Sequence, residues 1–243
     1  MKKILRILFF YSFVLQSAVS GRVAAQSSGS QDDFRIRLGA SFQKTIVKRV
    51  KFEGLAQLRL DNNFSQYSST ILEGGVIVKP IKKTEFTLKA GYRLYQRPDV
   101  NKNRIFLDAE FNQKIKPIRC NVGVRIRGQQ DFTPLKSSFK IRSRVNISYN
   151  IPKIKWEPTA SVELWYNPSG EAQQFERIRL QLMLRYPIHK KINLKMGYFY
   201  QHKLNAGIKG VEHTLIVGFS FDFDKTKKKK KKDKPAAKEN PAD

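Results

Sequence analysis

Residues 212–223 read Glu-His-Thr-Leu-Ile-Val-Gly-Phe-Ser-Phe-Asp-Phe, and this stretch decides the fold. Leu215, Val217, Phe219, Phe221 and Phe223 fall on one face, and Glu212, Thr214, Gly218, Ser220 and Asp222 fall on the other. An alternation of period two is what a strand with two unlike faces needs. At about 3.3 Å per residue and about 45° of tilt, such a run spans roughly one hydrocarbon layer. The same strand also suits a half-buried place in a soluble sandwich, so the rest of the chain has to decide.

The pattern recurs from Phe34 onward. Phe34, Ile36, Leu38, Ala40 and Phe42 alternate with Arg35, Arg37, Ser41 and Gln43, and Val50, Phe52, Ala56, Leu58 and Leu60 with Lys51, Glu53, Gln57 and Arg59. Two of the clearest strands set Val122, Val124 and Ile126 against Asn121, Arg125 and Arg127, and Ile141, Val145, Ile147 and Tyr149 against Arg142, Arg144, Asn146 and Ser148. Leu55, Ile71, Ile77 and Phe106 break otherwise polar faces. Between strands, one set of connections is short, basic and marked by Pro80, Pro117, Pro152 and Pro187, spaced 37, 35 and 35 residues apart. Proline lacks the N–H that a central strand donates, so these are turns, and their spacing is that of a repeating up-and-down hairpin. The other set is richer in Asp, Asn and Gly, as at residues 61–63, 97–101, 129–138, 167–170 and 205–207. The short turns are expected on the periplasmic side and the loops on the extracellular side.

The compartment follows from the first residues. A basic start (Lys2, Lys3, Arg6), an apolar run over residues 7–19 and the small residues before Gln26 form a secretory signal peptide over residues 1–25. Residues 26–33 then make a short N-terminal segment, residues 34–224 the barrel, and residues 225–243 a disordered lysine-rich tail. The net charge is +27. Four basic residues in the signal peptide carry +4, nine lysines against three acids in the tail carry +6, and the body keeps +17. In an exported chain that surplus meets lipopolysaccharide phosphates and other envelope anions, so a nucleic-acid partner is not expected. Cys120 is the only cysteine, which leaves no internal disulfide and no thiolate cluster for zinc. After residue 25 no apolar run approaches the length of a spanning helix, so any membrane crossing falls to strands.

Closed barrels are the sheets that cross lipid, because an open edge leaves backbone groups unpaired where no water reaches them. The expected fold is therefore all-β, an antiparallel up-and-down transmembrane β-barrel of 10–12 strands in the Gram-negative outer membrane. Eleven strands can be counted. An even number is usual in single-chain bacterial barrels, which favours twelve with the error in residues 27–47. Aromatic residues on the apolar face gather at strand ends, with Phe42, Phe52, Phe86, Phe111, Tyr149, Trp156, Tyr186 and Phe223 near the basic turns and Tyr92, Phe139, Tyr166 and Tyr200 near the loops. Two such girdles suit a bilayer better than a soluble barrel with its apolar face inward.

The polar face is rich in arginine: Arg35, Arg37, Arg59, Arg93, Arg119, Arg125, Arg127, Arg142, Arg144, Arg177, Arg179 and Arg185, with Glu53, Glu73, Glu85, Asp108, Glu110, Glu157 and Glu163 as counter-charges. Two readings fit. The arginines and carboxylates form interior ion pairs that fill a small lumen, or the excess of arginine lines an anion-attracting passage. In the first reading Arg125, Arg127, Arg142 and Arg144 meet Asp108 and Glu110. Gly91-Tyr92-Arg93, Arg125-Ile126-Arg127, Arg142-Ser143-Arg144, Glu163, Arg177-Ile178-Arg179 and Gly197-Tyr198 occur in an order that resembles the domain-of-unknown-function 2490 barrels. The resemblance implies an outer-membrane barrel and brings no catalytic residues. Gly218, Phe221 and Phe223 also resemble the closing-strand signal read by the outer-membrane assembly machinery.

The function expected is that of a structural or narrow-pore barrel with an Arg-rich interior, the alternatives being an anion-selective channel or small-ligand passage and an outer-membrane lipid-modifying enzyme. The enzyme alternative rests on His202 and His213 at the rim, with His213 beside Thr214; neither a Gly-x-Ser-x-Gly motif nor a paired-His spacing accompanies them. No cofactor or metal site is expected. The expected partners are the outer-membrane bilayer with its lipopolysaccharide, the assembly machinery, and an anionic periplasmic surface for the tail. Oligomeric state is left open.

Overall fold

The computed structural model describes residues 33–81, 84–134, 136–168, 174–204 and 211–224. The signal peptide, most of the N-terminal segment and the lysine-rich tail lie outside these residues, as do residues 205–207. Eleven strands form: β1 (Asp33–Val47), β2 (Val50–Asp61), β3 (Gln66–Val78), β4 (Phe86–Gln96), β5 (Lys102–Ile115), β6 (Cys120–Phe132), β7 (Ser137–Tyr149), β8 (Glu157–Asn167), β9 (Gln174–His189), β10 (Ile192–Lys203) and β11 (Val211–Asp222). Each pairs antiparallel with the next, and β1 closes the barrel on β11.

The expectation of twelve strands is not met among the described residues, and the reason lies in the closing pair. An up-and-down chain with an odd number of strands brings its first and last strands together pointing the same way. β1 and β11 accordingly run parallel, in register from Asp33–Glu212 through Gly39–Gly218 to Gln43–Asp222. The evenly spaced, slanted bonds of a parallel pair complete the cylinder, at slightly lower stability per residue than an antiparallel pair. The seam is tight at its centre, because a Cβ added to Gly218 would lie 2.7 Å from the carbonyl oxygen of Gly39.

The two rims differ. Short connections, described at residues 48–49, 79–81, 84–85, 116–119, 150–156 and 190–191, share one end, and the described parts of the Asp- and Asn-rich connections share the other. Arg49, Arg119 and Lys153 take positive φ (73°, 56° and 61°) to reverse the chain in these turns. Arg119 thus belongs to a turn, where its N–H donates to the carbonyl of Lys116 at 3.2 Å, and not to the polar face of a strand. Glu85 likewise precedes β4 and pairs with Lys79 at the rim at 3.1 Å. At the loop rim, the carboxylate of Asp33 accepts the N–H of Asn62 at 2.9 Å where β1 begins. At the turn rim, Asp224 accepts the N–H of Thr45 at 2.8 Å and also its hydroxyl, and these bonds hold the carboxyl below its usual range.

Side chains segregate as the alternation predicts. Outward positions are apolar and uncovered, Leu107 being 59% and Leu182 63% exposed, whereas inward Ile71 is fully buried. A chain that exposes this much aliphatic surface in one continuous band needs an apolar surround. Rings pack at both rims of that band: Phe42 with Phe52 and Phe223, Trp156 with Tyr186 at 4.7 Å, and Tyr166 with Phe175 at 5.4 Å. Cys120 opens β6 opposite Ile115 and Tyr149, in the outward parity of Val122 and Val124.

The glycine seam yields a comparison. Gly218→Val forces a Cβ against the β1 backbone, whereas Gly74→Ala finds its nearest neighbour 3.9 Å away in the Phe52 ring. Gly218→Val is expected to lower the folded fraction severalfold on cold electrophoresis, where folded barrel migrates apart from heated chain, and Gly74→Ala to leave it unchanged.

Candidate functional site in the barrel interior

Every strand sends its polar parity inward, so the lumen holds the charges of eleven strands in one column. Among these the carboxylates act as hubs. Asp108 on β5 accepts Nε and Nη2 of Arg127, directly opposite on β6, at 2.5 and 2.6 Å, and both residues are buried. This is the bidentate fork that arginine offers and lysine does not. Glu163 on β8 gathers three guanidiniums: Arg142 at 2.7 Å, Arg125 at 3.0 Å and Arg179 at 3.5 Å. Glu73 on β3 is shared by Arg93 and by Lys89 at 2.7 Å, and Lys89 also reaches Glu53. Nearer the loops, Asp131 binds Arg104 at 2.5 Å and Lys102 at 2.6 Å, and Glu212 binds Arg35 at 3.0 Å.

Four aromatic rings stand in the same column, and cations crowd around them. Phe106 lies 4.0 Å from the Arg127 guanidinium carbon and 4.7 Å from Lys89 Nζ. Trp165 faces Arg142 and Arg179 at 4.7 and 4.6 Å, and Phe199 faces Arg37 and Arg179 at 4.4 and 4.2 Å. Tyr95 accepts Nη1 of Arg93 at 3.0 Å and has Arg104 5.0 Å from its ring. Each contact of this kind, out of water, is worth up to about 2 kcal/mol. Gly91 makes room for Phe106, whose ring tip would stand 2.4 Å from a Cβ there.

The interior therefore holds the arginines and carboxylates named above, Arg119 and Glu85 excepted, but pairs them differently. Of the four arginines expected to meet Asp108 and Glu110, only Arg127 does so. Arg142 and Arg125 reach Glu163, Glu110 accepts the Asn112 amide at 2.8 Å, and Arg144 has no carboxylate within 4 Å among the described residues. The cause is reach: arginine spans to diagonal and next-strand neighbours, so the residue directly opposite need not be the partner. Arg177 makes only a 3.9 Å contact with Glu176 and lies 5.9 Å from Trp165, at the loop rim. Arg104, Asp131, Tyr95, Trp165 and Phe199 belong to the interior yet escaped the sequence reading. Parity marks each of them, since Tyr95 continues Lys89, Gly91 and Arg93, and Trp165 follows Glu163 by two.

The rim histidines resolve simply. His213 points outward, stacks on Phe34 at 4.8 Å, meets Tyr200 edge-on at 5.8 Å, and shares a 2.6 Å hydrogen bond between its Nδ1 and the Tyr198 hydroxyl. Thr214 is fully buried on the opposite face, so the two cannot act together. His202 shares the outward parity of Tyr198 and Tyr200, opposite Val211.

Losing one member of a buried ion pair costs more than losing both, because the survivor is left charged and alone. Asp108→Ala is expected to destabilise the barrel by about 3–5 kcal/mol, and Asp108→Leu with Arg127→Met by distinctly less, in equilibrium unfolding by guanidinium. A double loss equal to the sum of the Asp108→Leu and Arg127→Met single losses would show that the pair carries no coupling.

Comparison with known proteins gives three results. A family described as "Protein of unknown function (DUF2490)" matches residues 34–211. Among solved structures, the chain is similar to one titled "KdgM porin", with 14% identity and a TM-score of 0.47 over 70% of this chain and 89% of that one. No curated protein matches.

Proposed function

The chain belongs to the DUF2490 family, and from that premise we propose that it is an exported outer-membrane barrel of structural or narrow-pore type whose interior is a polar core. The observation that carries this reading is the buried charge column, above all the bidentate Arg127–Asp108 pair and the three guanidiniums on Glu163. Side chains that satisfy one another in this way fill the space an aqueous channel needs. A barrel of eleven strands is wider than an eight-stranded one and narrower than the porins with open channels, a width that long arginine side chains can bridge. The apolar exterior and paired aromatic rims support a bilayer location, with lipopolysaccharide against the loop half. Gly218 and Phe221 of β11 and Phe223 just beyond it serve assembly, and the lysine-rich tail tethers to an anionic periplasmic surface at about 1 kcal/mol per lysine.

Two experiments test the reading. The mature protein should fractionate with outer membranes and give a β-rich circular dichroism spectrum in detergent. A compact monomer soluble without detergent would exclude the bilayer. In planar bilayers the purified protein should show narrow conductance or none, and Arg127→Ala with Arg142→Ala should lower thermal stability, since Asp108 loses its partner and Glu163 one of three. A stable ohmic, anion-selective current that this double substitution reduces, without loss of stability, would make the protein a channel.

A further inference from the structure

Four pairs of arginines stand directly opposite one another across neighbouring strands: Arg37–Arg59, Arg93–Arg104, Arg125–Arg144 and Arg127–Arg142. Like charges in this position repel, so each pair needs a negative group nearby. Three pairs have one. Arg93 is held by Glu73 and Arg104 by Asp131, Arg125 by Glu163, Arg127 by Asp108 and Arg142 by Glu163. The Arg37–Arg59 pair, where β1 meets β2, has no carboxylate within 4 Å of either member among the described residues. Arg59 donates Nε to the Gln57 side-chain oxygen at 3.0 Å, a neutral acceptor, and Arg37 has only the face of Phe199 at 4.4 Å.

The carboxylates one step toward the loops are already engaged. Asp33, Asp61 and Glu212 converge on Arg35 at 2.5, 3.6 and 3.0 Å. Buried Phe199 and Tyr95 bound the pair on either side, with Arg179 and Arg104 beyond them. Both Arg37 and Arg59 remain half-buried, so water in the lumen reaches what the ion-pair column leaves open.

We propose that Arg37 and Arg59 together form a binding site for an oxyanion, the phosphate or carboxylate group of a small solute, inside the barrel. Two guanidiniums on directly opposed residues offer the N–H forks that tetrahedral and planar oxyanions accept. The bound anion supplies the charge that Asp108, Glu163 and Glu73 supply elsewhere in the column. The proposal rests on the barrel reading above, yet it fails separately, because a folded barrel can lack the site.

The test uses the full mature protein in neutral detergent at constant ionic strength, titrated with inorganic phosphate and, in a second arm, with succinate. Binding should raise the thermal midpoint by roughly 5 °C or more at about a hundredfold excess over the dissociation constant. Arg37→Gln and Arg59→Gln should each abolish that rise while leaving the anion-free midpoint unchanged or higher, since each removes a repulsion. Arg144→Gln should keep the rise. A response to one anion or to both supports the site and identifies the group it takes. The absence of any rise in folded wild-type barrel, or a rise that persists in both glutamine variants, overturns it. Should a glutamine variant not fold, Arg59→Lys keeps the charge without the fork and should weaken the rise, and an undiminished rise in it counts against the site.

Discussion

A backbone N–H or C=O turned toward hydrocarbon with no partner costs several kcal/mol, and every other feature of this barrel accommodates that constraint. It requires the sheet to close, whatever the number of strands. With eleven, closure is available only through two strands that run the same way, and that pairing in turn demands close backbone approach at Gly39 and Gly218. The prolines among the described residues lie where no ladder bond is needed, at turns or strand ends, for the same reason. Geometry at the seam thus follows from the cost of an unmet hydrogen bond on the outside.

The second consequence falls on the inside. Once the outer face is given to apolar side chains, period two sends everything else into the lumen, and the hydrophobic core of an ordinary domain is replaced by a polar one. Charges there cannot be left to solvent alone, and the column meets the requirement with shared carboxylates and with rings. Glu163 serving three arginines is economical in carboxylates, and Phe106, Trp165, Phe199 and Tyr95 offer their negative faces to cations that have too few of them. Residues that look misplaced on a polar face are therefore part of what stabilises it.

Much of this could be read from the sequence, because a strand in a barrel wall has only two environments and each residue declares one. Most of the strands, their facing and the two rims follow from alternation, although residues 129–132 read as loop and belong to β6, and Arg119 reads as strand and belongs to a turn. Ile71 and Phe106 are instructive, since they registered as breaks in the pattern, yet their parity was correct and their burial gives the reason they are there. What alternation cannot carry is pairing. Arg142 sits opposite Arg127 and binds Glu163 on the other neighbour, and nothing in spacing distinguishes that choice from Asp108. The closing pair is hidden for a related reason: β1 and β11 are the most distant strands in the chain, and no local residue states whether they meet parallel. The even count common among bacterial barrels was a poor guide for that step.

The odd number of crossings has a consequence for topology. β1 begins at the loop rim with Asp33, and β11 ends at the turn rim beside Asp224. A barrel with an even count returns its chain to the side it started from, like a hairpin of helices, whereas this one behaves as a single-pass segment does. In the bilayer location proposed above, Asp33 and Asp224 lie at opposite faces of the membrane, so the wall that holds the charge column also sets the two ends of the described chain apart.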